Sequence, residues 1–373
     1  MSETVIVIGG GMAGVSAAAE LSDSFKVILL EREPFHGVHS TGRSAASYIP
    51  SYGYDDPSLR LLTSLSKPAF DSRLEGLSEV PLLKARGLLT LSPLSNDNYV
   101  EELQRLRGYF PSIVAVENLQ QEFPSIPVKP EFATRGWLEP DATDIDVDAL
   151  LQAYLRKLKR GSGVVFTGVT IEKIENKSGS WAVTCGTTVF HADKLINCAG
   201  AWADNVAQMI GASSGHLTPK RRTAINFNID AETKGWPLIL AADESFYLKP
   251  DAGKLLASPV DATPSIPCDS VPEEIDIATA AYNVEQALSL NIKRIEHSWA
   301  GLRTFAKDGS PVIGEDPLTP NFYWLAGQGG HGIQIAPAAA QLLASLVADK
   351  PLPDAFNQVN FNPQWVSPAR LLS

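Results

Sequence analysis

Three glycines close to the N-terminus, Gly9, Gly11 and Gly14, have the spacing of a dinucleotide-binding turn. Glycines in this arrangement allow a tight turn and let the backbone approach a pyrophosphate, and the following helix offers free N–H groups. Glu31 follows Gly11 by twenty residues, so its carboxylate could accept hydrogen bonds from ribose hydroxyls. The spacing predicts a dinucleotide site; the alternative is a glycine turn in a Rossmann-like fold without a ligand.

A second glycine-rich turn occupies residues 327–332, more than 300 residues further along the chain. We predict that it opens a helix whose N-terminus stabilises negative charge on a reduced flavin. The small, hydroxyl-rich stretch at residues 40–46 also suits a flavin and its pyrophosphate better than NAD. The alternative for these glycine-rich segments is a set of tight turns with structural roles alone.

A Rossmann-type α/β unit must position these residues. Residues 5–8 and 27–30 are short apolar runs typical of buried parallel strands, and apolar residues recur at helical spacing between 15 and 21. Further along, Asp146 can cap a helix that ends near Gly161, and residues 250–253 have the composition of a hairpin turn. The alternation of strands and helices predicts two domains whose segments interleave along the chain.

Charge and cysteine content disfavour several classes of protein. The 373 residues carry a net charge of −11, which repels phosphate backbones and disfavours a nucleic-acid partner. Cys185, Cys198 and Cys268 form no CxxC pair and no metal-ligand spacing, so we expect no bound metal and a reducing, cytoplasmic location. No apolar run reaches the ~18 residues of a transmembrane helix. No signal peptide is visible, and a peripheral membrane contact stays open.

The chain resembles the FAD-dependent amine and D-amino acid oxidoreductases of the D-amino acid oxidase family. Besides the N-terminal glycines, the matching stretches are HSTGRSAA (residues 39–46), INCAGAW (196–202), DGSPVIG (308–314) and GQGGHGIQ (327–334). Within that family it resembles most narrowly the bacterial D-arginine dehydrogenases, through KRR (220–222), DESFYLKP (243–250) and WAGLR (299–303).

This resemblance implies an α/β fold, in which a GR2-type FAD-binding Rossmann domain is interleaved with an antiparallel β-sheet substrate domain. The FAD-binding domain is expected to comprise residues 1–75, 145–220 and 300–373, and the substrate domain residues 76–144 and 221–299. FAD is expected to bind non-covalently, because the turn at residues 327–332 contains no cysteine. The residues implied to contact FAD are Gly9, Gly11, Ala13, Gly14, Glu31, Arg32, Ser40, Thr41, Ser44, Ala45, Ala46, Val169, Gly200, Gly329, Gly330, Gly332, Ile333 and Gln334.

Two arginines are implied to clamp the α-carboxylate of a substrate. Arg222 and Arg303 match the residues that do so in the relatives. A guanidinium suits that role, because its planar fork binds a carboxylate bidentately and keeps its charge at any physiological pH. The alternatives are a solvated basic run at residues 220–222 and a buried structural ion pair for Arg303.

The resemblance assigns catalytic roles to three further side chains. Tyr52 and Tyr247 match tyrosines whose hydroxyls reach the substrate carboxylate, with core packing as the alternative. The relatives carry a tyrosine at the position of His331 and an active-site histidine at that of Ser47. His331 is therefore a catalytic candidate that could replace the missing histidine in part; the alternative, and the commoner role of a lone histidine, is a structural one.

Substrate specificity is where this chain departs from the D-arginine dehydrogenases. They place a glutamate where this chain has Leu88, and that glutamate receives the substrate guanidinium. Leu88 cannot pair with a cation, so a cationic tail would be buried without a partner. Leu238 and Leu240 match two apolar pocket walls. The pocket is therefore predicted to accept a neutral or apolar side chain.

The reaction implied is the oxidative deamination of a D-amino acid to a 2-oxo acid and ammonia through an imine, with a hydride passing from Cα to flavin N5. Alternatives on the same scaffold are a flavin-dependent 2-hydroxy acid dehydrogenase and a secondary-amine oxidase of the glycine or sarcosine type. A flavin enzyme acting on a modified nucleotide in RNA is disfavoured by the charge, and a non-catalytic FAD-binding interaction protein is a remote alternative. The acceptor that reoxidises the flavin is left open between oxygen, a quinone and another carrier.

Overall fold

The structure, a computed structural model, describes residues 3–96, 98–161, 163–177 and 179–372. The predicted domain ranges include Met1, Ser2, Asp97, Ser162, Ser178 and Ser373, which lie outside the described residues. The strands, in chain order, are β1 (Thr4–Ile8), β2 (Lys26–Leu30), β3 (Ser47–Tyr48), β4 (Leu83–Ala85), β5 (Leu88–Ser92), β6 (Val114–Val116), β7 (Arg135–Glu139), β8 (Thr143–Ile145), β9 (Gly163–Phe166), β10 (Lys173–Lys177), β11 (Ser180–Cys185), β12 (Thr188–Ala192), β13 (Lys194–Asn197), β14 (Leu217–Phe227), β15 (Leu238–Ala241), β16 (Tyr247–Asp251), β17 (Lys254–Ser258), β18 (Ile295–Ala306), β19 (Val312–Glu315) and β20 (Phe322–Ala326). The α-helices are α1 (Met12–Leu21), α2 (Pro57–Asp71), α3 (Arg73–Gly76), α4 (Tyr99–Tyr109), α5 (Leu119–Glu122), α6 (Val147–Arg160), α7 (Ala203–Ile210), α8 (Glu274–Ala287), α9 (Ala336–Val347) and α10 (Asp354–Gln358).

A six-stranded sheet in the order β19-β20-β13-β1-β2-β9 forms the dinucleotide-binding half. Its strands are parallel except β19, which pairs antiparallel with β20. Side chains alternate between its faces: Val5 and Val7 join the core formed with α1, α6 and α9, whereas Ile6 and Ile8 face the small β10-β11-β12 sheet. Burial on both faces explains why β1 is continuously apolar.

An eight-stranded sheet in the order β18-β14-β17-β16-β15-β5-β7-β6 forms the other half. One face packs on α8 through a second core that includes Leu89, Ile239 and Leu248. Because side chains alternate along a strand, Leu88 and Leu238 project from the opposite face. The α/β fold with mixed and antiparallel sheets confirms the predicted fold class. Two predicted domain boundaries fall inside the long strands β14 and β18, and the boundaries stay predictions.

The structure contains the strands and helices that the local sequence patterns predict. The strand–turn–helix–strand unit at residues 4–30 is present, and the Asp146 carboxylate caps α6 by accepting a 2.9 Å hydrogen bond from Ala149 N–H. The segment after the second glycine turn differs, because α9 begins only at Ala336. Residues 329–335 form successive turns instead, with the Ile335 N–H donating to the His331 carbonyl. No described helix has the length and apolarity needed to cross a membrane.

Candidate active site

A cleft of about 460 Å³ opens at the carboxyl ends of β1, β2, β13 and β20, where ligands bind in parallel α/β sheets. Fourteen of the eighteen residues predicted to bind FAD line it: Gly9, Gly11, Ala13, Glu31, Arg32, Ser40, Thr41, Ser44, Val169, Gly200, Gly329, Gly330, Gly332 and Ile333. Gly14, Ala45, Ala46 and Gln334 do not line it. Gln334 instead supports a neighbouring loop, because its Oε1 accepts from Ile49 N–H at 3.0 Å.

Two polar side chains from later in the chain accept hydrogen bonds at the glycine turn and the start of α1. The Glu31 carboxylate accepts hydrogen bonds from the Gly10 N–H and, at 2.7 Å, from the Glu33 N–H. Thr41 Oγ1 accepts from Met12 N–H at 3.0 Å, which caps α1 from outside because Gly11 has no side chain. The free donors of the helix start and the acidic residue thus lie together at the edge of the cleft.

Gly14 has a packing role, since a Cβ built on it would lie 1.7 Å from the Gly9 carbonyl oxygen. We expect Gly14→Ala to push α1 away from β1, to lose bound cofactor and to destabilise the fold by about 1–3 kcal/mol. Gly108→Ala is the control, because nothing lies within 4 Å of its Cβ position in α4 and alanine favours a helix by roughly 0.5–1 kcal/mol. Cofactor content and thermal unfolding measure both; full cofactor retention by Gly14→Ala would contradict the packing argument.

Sequence reasoning missed an aromatic cluster at the Glu31 end of the cleft. The guanidinium of Arg32 stands 4.3 Å from the Trp202 ring centroid, and the His39 ring packs on Trp202 at 4.8 Å. His39 Nε2 is also 2.9 Å from the Glu33 carboxylate. Both aromatic residues belong to the stretches 39–46 and 196–202 that carry the family resemblance, so that signal could have identified them.

Arg222 and Arg303 project from neighbouring strands, β14 and β18, where Lys220 is paired with Arg303 and Arg222 with Gly301. Such diagonal neighbours on one face stand roughly 7–8 Å apart. The Arg222 Nε donates to the Asp261 carbonyl at 2.7 Å, while its terminal nitrogens make no hydrogen bond to the described residues. The Arg303 Nε is buried and has no hydrogen-bond partner among the residues that the structure describes. Two guanidinium groups are therefore available to an anion.

Two tyrosine hydroxyls lie beside these arginines. A Cβ on Gly330 would meet Tyr52 Oη at 2.6 Å and Arg303 Nη1 at 2.8 Å, so only glycine permits both groups to approach the turn. Tyr52 is 38% exposed, yet its hydroxyl lies against the turn at Gly330. Burial raises the pKa of Tyr52 and of Tyr247, and the charge of Arg222 acts on both in the opposite direction. Both hydroxyls therefore stay protonated and can donate.

His331 stacks on Tyr52 with ring centroids 4.1 Å apart. Burial lowers the pKa of His331 to about 4, although Asp56 acts in the opposite direction. The imidazole is therefore neutral near pH 7, and its Nε2 has no partner among the described residues. A histidine with so low a pKa is a weak proton acceptor, so its clearest contact is the ring stack that supports Tyr52.

An apolar cluster adjoins the tyrosines. Leu88, Ala142 and Leu238 are 4%, 1% and 7% exposed, and Leu240, Tyr247 and Ile49 pack against them. The three predicted specificity residues thus come together, because β5 pairs in parallel with β15. Ile49 and Ala142 could not be predicted as site residues from the sequence, because neither belongs to a motif.

The cleft residues fit FAD. The walls run from Glu31, the predicted ribose acceptor, to Gly330 beside Arg303, and the volume lies within the range of cofactor sites. Free helix N–H groups at the start of α1 suit the pyrophosphate. The described residues contain no group of three or more potential metal ligands.

Comparisons with known proteins give one family and several relatives. The sequence profile of the family described as "FAD dependent oxidoreductase" matches residues 4–346. A bovine (Bos taurus) protein named FAD-dependent oxidoreductase domain-containing protein 1 is 23% identical, with 96% of this chain and 83% of that protein covered. Glycine oxidase of Bacillus licheniformis is 24% identical, with 93% of both chains covered.

Solved structures share the fold. Glycine oxidase from Geobacillus kaustophilus superposes with a TM-score of 0.79 at 19% identity, covering 94% of this chain and 96% of that one. L-Proline dehydrogenase from P. horikoshii superposes with a TM-score of 0.80 at 20% identity, covering 94% and 95%. The L-α-glycerophosphate oxidase of Mycoplasma pneumoniae, solved with FAD bound, gives 0.80 at 19% identity, covering 93% and 95%.

Proposed function

Because this chain belongs to the FAD dependent oxidoreductase family and its cofactor is FAD, we propose that it oxidatively deaminates a D-amino acid with a neutral or apolar side chain. The product is an imino acid, which water hydrolyses to a 2-oxo acid and ammonia. The observation that carries the proposal is the arginine pair beside two tyrosine hydroxyls: the Arg303 Nε and the terminal nitrogens of Arg222 have no hydrogen-bond partner among the described residues. This arrangement suits an α-carboxylate.

The protein's own residues bind and orient the substrate. Arg222 and Arg303 hold the carboxylate, and Tyr52 and Tyr247 donate to it as neutral phenols. When bound, FAD supplies the two-electron oxidation of the Cα–N bond. Fixing the carboxylate at this end of the cleft aims Cα at the cofactor, and orientation of this kind contributes much of the rate. The amine must be neutral to be oxidised, so activity should rise with pH through its ionisation.

The apolar cluster supports the choice of side chain. Leu88, Leu238 and Leu240 offer contacts to an apolar tail and no partner for a cation. The D configuration is supported by the resemblance of residues 220–222, 243–250 and 299–303 to the bacterial D-arginine dehydrogenases. A cytoplasmic location is also proposed, supported by the absence of a disulfide among the three cysteines.

A small secondary or primary amine of the glycine or sarcosine type is the second candidate. The near-complete burial of Leu88, Ala142 and Leu238 favours this candidate. Because the three side chains pack against one another, they suit a substrate that has little or no side chain of its own. Relatives at 24% identity include a glycine oxidase.

The test is anaerobic reduction of the bound flavin. We expect the purified protein to be yellow, to release FAD on heat or acid denaturation, and to be bleached without oxygen by D-leucine, D-methionine or D-phenylalanine. The panel includes the L-enantiomers, glycine, sarcosine and 2-hydroxy acids, each of which tests one alternative. A flavin that only glycine or sarcosine bleaches favours the second candidate. A flavin that no amine bleaches would overturn the deamination assignment.

A further inference from the structure

The loop at residues 49–53, here called the Tyr52 loop, is held at three points. Gln334 Oε1 accepts from the Ile49 N–H at one end, and the His331 ring stacks on Tyr52. Between them, Glu139 accepts two hydrogen bonds from Ser51, at 3.0 Å from the backbone N–H and at 2.5 Å from the hydroxyl. Ile49 also packs against the apolar cluster, and the Tyr52 N–H donates to the Ile49 carbonyl at 3.1 Å. Glu139 is the contact that joins the middle of the loop to the eight-stranded sheet.

Glu139 is an unusual residue for this place. It is 1% exposed and ends β7, directly opposite Leu88 on β5. Within the described residues it has no ion pair, and the only donors to its carboxylate are the backbone N–H and the hydroxyl of Ser51. A buried carboxylate without a cation is costly, and it persists where fixed donors compensate it. Each carboxylate oxygen accepts one of the two Ser51 donors, which ties the acid to the Tyr52 loop.

We propose that Glu139 is a positioning residue, which fixes Ser51 and thereby places the Tyr52 hydroxyl beside Arg303 for the substrate carboxylate. The inference rests on the proposed function, because it takes Tyr52 to be a carboxylate ligand. Loss of Glu139 should therefore weaken substrate binding and leave the oxidation step nearly intact. Burial raises the pKa of Glu139, and the two Ser51 donors act in the opposite direction.

The central experiment compares Glu139→Gln with Glu139→Ala. The glutamine amide can accept from Ser51 N–H and donate to Ser51 Oγ, so KM should stay within about threefold of the unmodified enzyme. Alanine removes two buried hydrogen bonds and leaves both Ser51 donors without their acceptor, so KM should rise roughly ten- to a hundredfold, with kcat changed less than about threefold. Ser51→Ala removes one of the two bonds and should shift KM less, in the same direction, which provides a second test if Glu139→Ala folds poorly.

Two further measurements separate positioning from general damage. Tyr52→Phe combined with Glu139→Ala should raise KM little beyond the larger single effect, because both changes act through one hydroxyl. Asp316→Ala is the control for loss of a buried carboxylate, since Asp316 is 3% exposed and bonds Trp324 Nε1. It should lower the melting temperature without moving KM.

Binding of isocaproate, the desamino analogue of leucine, is titrated by the flavin absorbance of the holoenzyme and needs no turnover. Its dissociation constant should follow KM across the variants. An unchanged dissociation constant in Glu139→Ala, or equal damage by glutamine and alanine, overturns the positioning role. A selective loss of D-arginine turnover would assign the acid to substrate instead. Failure of every amine to bleach the flavin while isocaproate still binds overturns the proposed function and leaves this inference standing.

Discussion

Replacing Arg222 or Arg303 with alanine is expected to weaken substrate binding by about 2–5 kcal/mol, as for one partner of a buried charge pair. KM should then rise roughly thirtyfold or more. Arg303 should show the larger effect, because its Nε is buried without a hydrogen-bond partner among the described residues, whereas the Arg222 Nε already donates to the Asp261 carbonyl. FAD content should stay unchanged, since FAD is expected to be held mainly by the glycine turns.

Conservative and distant variants sharpen this test. Arg222→Lys keeps the charge but loses the planar fork and the Nε bond to the Asp261 carbonyl, so it should recover only part of the affinity. Arg294→Ala is the matched control, because the Arg294 side chain is 78% exposed and stands 3.9 Å from its nearest carboxylate. Unchanged KM in both Arg222→Ala and Arg303→Ala would move the carboxylate site elsewhere.

The second large effect concerns the substrate side chain. D-Arginine and D-lysine should be poor substrates, and D-leucine, D-methionine or D-phenylalanine better ones. An apolar tail gains only ~1–3 kcal/mol from a better fit. The acid opposite Leu88 is Glu139, and both of its carboxylate oxygens already accept from Ser51. A buried cation without a dedicated partner costs several kcal/mol, so that cost should decide the order of substrates. The measurement is kcat/KM across the panel, and a preference of the unmodified enzyme for D-arginine over D-leucine would refute the Leu88 argument.

Leu88→Glu should raise the ratio of kcat/KM for D-arginine to that for D-leucine. The structure adds a condition, because Leu88 lies directly opposite Glu139 and two carboxylates would then face each other across β5 and β7. Like charges in such a pair are destabilising, so the variant should melt at a lower temperature and be stabilised by D-arginine. Leu88→Met, which conserves volume and adds no charge, is the control and should leave both the ratio and the melting temperature nearly unchanged.

The site combines local signals with contacts between distant parts of the chain. The glycine turn, Glu31 and Thr41 could be placed from the sequence, since each lies within about 30 residues of the others in one strand–turn–helix unit. Arg222 and Arg303 were found only by resemblance, because they meet through the pairing of β14 with β18. Glu139 carried no sequence signal at all, since its partner Ser51 is 88 residues away.

Elements that depend on local interactions could be predicted from the residues alone. The apolar runs gave β1 and β2, and the Asp146 cap and helical period gave α6, because backbone preferences and caps act over a few residues. Only the folded chain defines the strand registers that bring Leu88 beside Leu238 and opposite Glu139. It also makes α9 begin at Ala336 and keeps His331 buried and neutral. Register, burial and desolvation depend on packing between segments far apart in the chain, which no local pattern encodes.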